Sequence, residues 1–327
     1  MPKSLLTVNV DPRVGPRHLA ARRPCANVAG MQASTEQGMD FNTFVARAWD
    51  EHAADSQAMA HRLSEGIPLL TTEHELTRLM DLAHHVHGQH LGTWRAGAAF
   101  IERLAALPPF VPEGVSGQAR RRCMASLAVC ERADADLGDL SPSDRIRVAA
   151  MAASNLAEHD TPSAMRLLQQ ALGQAESAGL AAADPMHRAL AVAGNSIAVA
   201  LEEKTARSAD ERGLMILAAQ AARCHWAIAG TWLETERAEY RLAIIWLQAG
   251  DLAQARTHAQ NCLEIVAAND GAALERLFGW EALGRVERAA GNAAGHAQAL
   301  LNARTAFAEL AAADQAWCAA CIDQLAG

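Results

Sequence analysis

Lysine is nearly missing from this 327-residue chain. It occurs only at Lys3 and Lys204, and arginine supplies the remaining basic residues. Schiff-base and other lysine-centred chemistry therefore has almost nothing to stand on, and no G-x-x-x-x-G-K-[ST] or strand-linked G-x-G-x-x-G is available to cradle a phosphate. Aromatics make up 4% of the residues, with Tyr240 the single tyrosine, and no long alternation of Val, Ile, Thr and Tyr reads as a strand. No apolar run approaches the roughly 20 residues that span a bilayer. There is no G-x-S-x-G elbow and no H-E-x-x-H, so nucleophilic and zincin-type hydrolysis lack their usual signatures.

Hydrophobic residues account for 50% of the chain, and alanine supplies much of that count. Such a composition favours helices packed closely through small side chains, and it predicts an all-α protein. The net charge of −8 is unevenly spread: residues 1–38 carry five basic against two acidic residues, leaving 24 against 35, or −11, for the remainder. A body that acidic argues against nucleic acid as a partner, and the missing apolar runs argue against a membrane. Residues 1–38 read as a disordered leader or a mis-assigned start ahead of Met31 or Met39. They lack the apolar core of a secretory signal, and few serines accompany the arginines that a transit peptide would need. Seven cysteines, an odd number without scaffold spacing, predict a reducing, cytoplasmic setting. Cys318 and Cys321 form a C-x-x-C, but with Trp317 and Leu325 they fall on one helical stripe and read as core. Abundant Arg and Ala with two lysines suggests GC-rich coding and a bacterial source.

Residues 39–327 read as one helical-repeat domain, and several segments between about 70 and 313 share one grammar: an apolar-periodic helix, a Gly or Asp turn with a capping residue, then a helix with a small residue early in it. In "YRLAIIWLQAGDLAQARTHAQNCLEIV", Gly250 ends one helix, Asp251 caps the next, and Ala255, Ala259, Cys262 and Val266 form the facing stripe. "WEALGRVERAAGN" repeats the scheme with Trp280, Leu283, Gly284, Gly291 and Asn292. Weaker versions run through Gly92, Thr93, Trp94 and Gly97, and through Thr161, Pro162 and Ala164, with Thr161 as the cap. This grammar resembles the tetratricopeptide repeat, whose pattern is W-x2-L-G-x2-Y followed by a spaced Ala. Trp280, Leu283 and Gly284 match it directly, whereas Glu287 stands in place of the Tyr and His296 in place of the Ala. The resemblance implies a right-handed α-solenoid of antiparallel helix hairpins. Spacings of 41 and 91 residues between matching positions, against a family unit of 34, predict lengthened helices and an irregular stack. Further helices are expected at about 117–135, 186–204 and 210–229, with capping helices at about 41–64 and 314–325.

Function is less legible. The resemblance implies a concave groove lined by the first helix of each hairpin. Helical spacing would put Arg237, Tyr240, Arg241, Phe278, Arg285, Arg288 and Asn195 there. The arginines offer bidentate pairing to carboxylates, so the first reading is a non-enzymatic scaffold for a protein or peptide with acidic side chains or a free C-terminus, needing no cofactor. Pairing with neighbouring glutamates is the plainer use of the same arginines. A second reading is a small-molecule-sensing regulatory protein. A third, a metal-dependent helical enzyme, rests on "HHVHGQH", where His84 and His87 share a helical face with Asp81. Gly88 weakens the helix there, which favours ordinary surface and crevice roles for these imidazoles.

Overall fold

Polar caps punctuate the chain and decide where its helices begin. Asp40, Asp55, Thr72, Ser141, Asp160, Asp184, Ser208, Asp251 and Asn292 each accept a hydrogen bond from a backbone N–H in the turn that follows. Thr72 with Glu75, and Ser208 with Glu211, complete reciprocal capping boxes. At the other ends Gly250 and Gly291 take φ of +84° and +70°, the left-handed geometry that closes a helix at low cost for glycine. In a computed structural model describing residues 40–327, these signals delimit fourteen α-helices. They are α1 (Phe41–Glu51), α2 (Ser56–Arg62), α3 (Glu73–His84), α4 (Trp94–Ala105), α5 (Val115–Glu131), α6 (Pro142–Leu156), α7 (Thr161–Ser177), α8 (Pro185–Glu202), α9 (Ala209–Ala229), α10 (Trp232–Ala249), α11 (Leu252–Ala268), α12 (Ala273–Ala289), α13 (Ala293–Ala308) and α14 (Ala312–Ala326). A 3-10 helix, Leu63–Leu69, follows α2, and a π-helical segment, His85–His90, continues α3.

The fold is all-α among the described residues, and helices adjacent in sequence pack on one another. None of these helices is long and apolar enough to cross a membrane. The expected leader, residues 1–38, lies outside the described residues. Two expectations are corrected. The helix expected over 41–64 is broken: Ser56 Oγ donates to the carbonyl of His52 at 2.8 Å, and Asp55 caps a new start. The cap of α7 is Asp160, whose carboxylate accepts from Ser163 N; Thr161 is already helical.

The described residues form two compact units, Asp40–Ala238 and Glu239–Gly327, divided within α10. In the first unit an apolar cluster built on Phe44, Trp49, Leu76, Leu79, Ile101 and Leu127 ties α1, α3, α4 and α5 together, while Ile146, Ala171, Met186 and Leu190 join α6, α7 and α8. The approach of α8 to α9 is close enough that a Cβ on Gly194 would meet the Ala218 carbonyl oxygen at 2.5 Å. In the second unit Ile244, Leu277, Phe278, Ala303, Leu310, Cys318 and Leu325 share one cluster. A Cβ on Gly284 would meet Leu325 Cδ1 at 2.9 Å and Ala299 Cβ at 3.3 Å, so the small residue is required by the packing of α12 on α13 and α14. The two departures from the repeat pattern are also absorbed: Arg256 holds Glu287 through two hydrogen bonds of 2.7 and 3.0 Å, and His296 Nδ1 donates to the Gly284 carbonyl at 3.0 Å.

Candidate functional site

Four helices of the first unit turn one stripe each towards a common space. Thr77, Asp81 and His84 recur at helical spacing on α3; Ala119, Arg122 and Cys123 on α5; Arg147, Met151, Ser154 and Asn155 on α6; Ala189, Val192, Ala193 and Ser196 on α8. Such i, i+3, i+4, i+7 stripes normally carry apolar core residues. Here charges, amides and hydroxyls interrupt them, and with His85 and Gln89 they line a cavity of about 150 Å³. Buried polar groups of this density require either mutual hydrogen bonding or something to bind.

Much of the polar wall is held in place by its own contacts. Arg122 and Arg147 share one carboxylate oxygen of Asp144, at 3.3 and 3.1 Å. Each guanidinium thus spends one of its five donors on that oxygen. Asn155 Nδ2 lies 3.2 Å from His84 Nε2, and Ser126 Oγ lies 2.6 Å from the same nitrogen. Ser154 Oγ donates to Gln89 Oε1 at 3.2 Å, while His159 Nε2 donates to the Gln89 carbonyl at 3.1 Å. Burial pushes the Asp81 carboxyl up to about 7, against the pull of Arg122 and Arg147, and burial lowers the His84 imidazole to about 4. At neutral pH the site therefore offers two guanidinium groups, a neutral imidazole and a carboxyl poised between its two forms. Cys123 adds no nucleophile, since burial drives its thiol upward and away from thiolate.

The π-helical segment forms one end of this wall. Its hydrogen bond from Leu91 N to the Val86 carbonyl, 3.1 Å, spans five residues instead of four. Gly88 sits in the wide turn because a Cβ there would lie 2.6–2.8 Å from the amide atoms of Asn155. Trp94 Nε1 donates to the Gly88 carbonyl at 3.3 Å, satisfying a backbone group within the irregular turn. The trio of Asp81, His84 and His87, which share a face at α-helical spacing, is separated by this geometry. Asp81 and His84 line the cavity, whereas His87 Nδ1 pairs with Thr93 Oγ1 at 2.9 Å and packs against Gly97. His85 and His90 come together with His52, the C-cap of α1, which sequence spacing had not singled out.

The groove residues expected from the repeat pattern are placed as follows. Tyr240 and Phe278 are buried in the core of the second unit, rings 5.9 Å apart and edge-on, so they are not open apolar walls. Tyr240 Oη donates to Glu281 Oε2 at 3.0 Å, and Arg285 Nη1 donates to Glu281 Oε1 at 3.2 Å. Arg288 Nη1 donates to the Gln324 carbonyl at 2.8 Å, near the end of α14. Arg241 is buried, and Arg237 and Asn195 are half-buried. Cys318 and Cys321 are buried, their thiols pushed up to about 12 and about 11 by burial, as a core stripe requires. Compared with protein-family models, curated proteins and solved structures, the chain matches none.

Proposed function

We propose that this chain is a right-handed, tetratricopeptide-like array of antiparallel hairpins whose first unit binds a small anionic molecule in the cavity between α3, α5, α6 and α8. The repeat reading draws support from the Gly250–Asp251 and Gly291–Asn292 junctions and from the fully buried Ala255 and close-packed Gly284. The ligand reading is carried by one observation: Arg122 and Arg147 converge with Asp81, His84, Gln89 and Asn155 on one partly open cavity in a chain of net charge −8. Paired guanidinium groups suit a carboxylate or phosphate, and the amides and hydroxyls suit the polar remainder of a small metabolite. A cavity of this volume, 150 Å³, accommodates a molecule about the size of benzene, which favours a short acid over a nucleotide. Binding without turnover is the reading this arrangement favours.

The peptide-groove alternative has less support, because Arg285 and Arg288 already make internal hydrogen bonds and Tyr240 and Phe278 are core residues. The test is a thermal-shift screen of small carboxylates and phosphate esters on the full chain, repeated with Arg122→Gln and Arg147→Gln. A compound that raises the melting midpoint of wild type and of neither variant supports the cavity as the site. No shift from any member, or an equal shift in both variants, overturns it.

A further inference from the structure

His52, His85 and His90 each bring one ring nitrogen within 4.8 Å of the others. His85 Nε2 stands at the centre, 3.1 Å from His52 Nε2 and 3.1 Å from His90 Nε2. We infer that these three imidazoles form a binding site for one divalent transition-metal ion, with zinc the best match to the donor set. The inference is independent of the anion cavity, although His85 borders both.

The tautomer of His52 is fixed by chemistry. Its Nδ1 lies 2.8 Å from the Trp49 carbonyl oxygen, which only accepts, so Nδ1 carries the proton and Nε2 of the neutral ring presents a lone pair. A backbone carbonyl holding the far nitrogen of an imidazole is the outer support commonly found behind metal-ligating histidines. His85 Nε2 faces a second difficulty, because an imidazole nitrogen offers one proton or one lone pair along a single in-plane direction. It cannot make two well-aligned hydrogen bonds to two neighbours at once. A cation between the three nitrogens would accept a lone pair from each.

The distances suit such an ion. Zinc binds imidazole at about 2.0–2.1 Å, which at a tetrahedral angle separates two ligand nitrogens by about 3.3 Å. His85 Nε2 stands 3.1 Å from each of the other two nitrogens, and all three lie within 4.8 Å of one another. Three neutral nitrogen donors without thiolate suit Zn²⁺, Co²⁺, Ni²⁺ or Cu²⁺ and disfavour Mg²⁺ and Ca²⁺. Residues five apart, such as 85 and 90, diverge by about 140° on an α-helix, at 100° per residue. The π-helical turn brings them onto one side, so the irregular backbone and the histidine cluster are a single feature. The ion would also link the end of α1, through His52, to the π segment.

The experiment uses the full chain, stripped with a chelator and titrated with Zn²⁺ by calorimetry and with Co²⁺ by visible absorption. One equivalent of each should bind. His52→Ala and His90→Ala should each weaken zinc binding by at least about 100-fold, since even outer-shell losses cost 10–100-fold. The exposed-histidine variants His61→Ala and His74→Ala should bind like wild type. Because a variant in the cluster can fail to fold, imidazole ¹⁵N shifts of wild-type protein provide a second readout, in which zinc should move His52, His85 and His90. Absence of stoichiometric binding, or binding that leaves those three resonances unmoved, would overturn the inference.

Discussion

His84 and Asn155 lie 71 positions apart in the chain, yet the amide of one reaches the ring nitrogen of the other at 3.2 Å, and Gly88 is the residue that leaves room for it. Gly88→Ala should push the Asn155 side chain off His84 and destabilise the protein by about 1–3 kcal/mol, the usual cost of overpacking. Gly173→Ala is the matched control: nothing lies within 4 Å of a Cβ there. It should stabilise by roughly 0.5–1 kcal/mol through helix propensity. Urea denaturation of the two variants checks both signs.

A second prediction concerns pH. The Asp81 carboxyl is raised from 3.8 to about 7, so the folded state holds its proton more tightly than the unfolded chain does. Its contribution is fully present below pH 3.8 and is lost as pH rises to about 7. His84 runs the other way: lowered from 6.5 to about 4, it contributes fully above 6.5 and loses that contribution as pH falls to 4. The two trends oppose each other in one window, so wild type alone conceals them. As pH rises from 4 to 7, Asp81→Asn should gain stability relative to wild type, measured by chemical denaturation at each pH.

Packing in the second unit supplies a third. Ala255 is fully buried where α11 meets its neighbours. Replacing it with Leu should overpack the contact and cost about 1–3 kcal/mol. A melting midpoint equal to that of wild type would show that the contact has space to spare.

Thiol labelling tests burial directly. Among the described cysteines Cys224 is exposed, while Cys123, Cys130, Cys262, Cys318 and Cys321 are buried. In a Cys25→Ser background, a disulfide reagent should modify one thiol per native chain quickly and the other five only on unfolding. Rapid modification of a second thiol would contradict the burial of the helical stripes.

Helix limits were the most legible part of the sequence, because their causes are local. Asp251 caps α11 and Asn292 caps α13 as their spacing from Gly250 and Gly291 predicts. The helix expected from 41 to 64 was misread because Ala53, Ala54 and Asp55 continue the helical periodicity, and the competing Ser56 hydroxyl becomes evident only in its contact with the His52 carbonyl. The cavity left a partial trace. Asp81, Arg122, Arg147 and Asn155 are polar interruptions of otherwise apolar stripes, and each could have been noticed on its own helix. That they face one another is a tertiary fact, fixed by which helices pack together. The partnership of His85 with His90 was hidden more deeply, because residues five apart lie on different faces of an α-helix and share one only in a π-turn.

The π-helical turn makes the number of residues in that stretch matter as well as their identity. Removing one residue between His85 and His90 would let the backbone relax into an ordinary α-turn at little local cost. The residues inside the turn would then shift about the helix axis, while those beyond it would keep their phase, because the π-turn holds one residue more than an α-turn. Asn155 would lose the gap that Gly88 leaves, and Trp94 would lose the Gly88 carbonyl that it donates to. Point substitution at Val86, an apolar residue in the core cluster, changes only volume. A single-residue deletion removes the wide turn itself, and no neighbouring side chain can restore it.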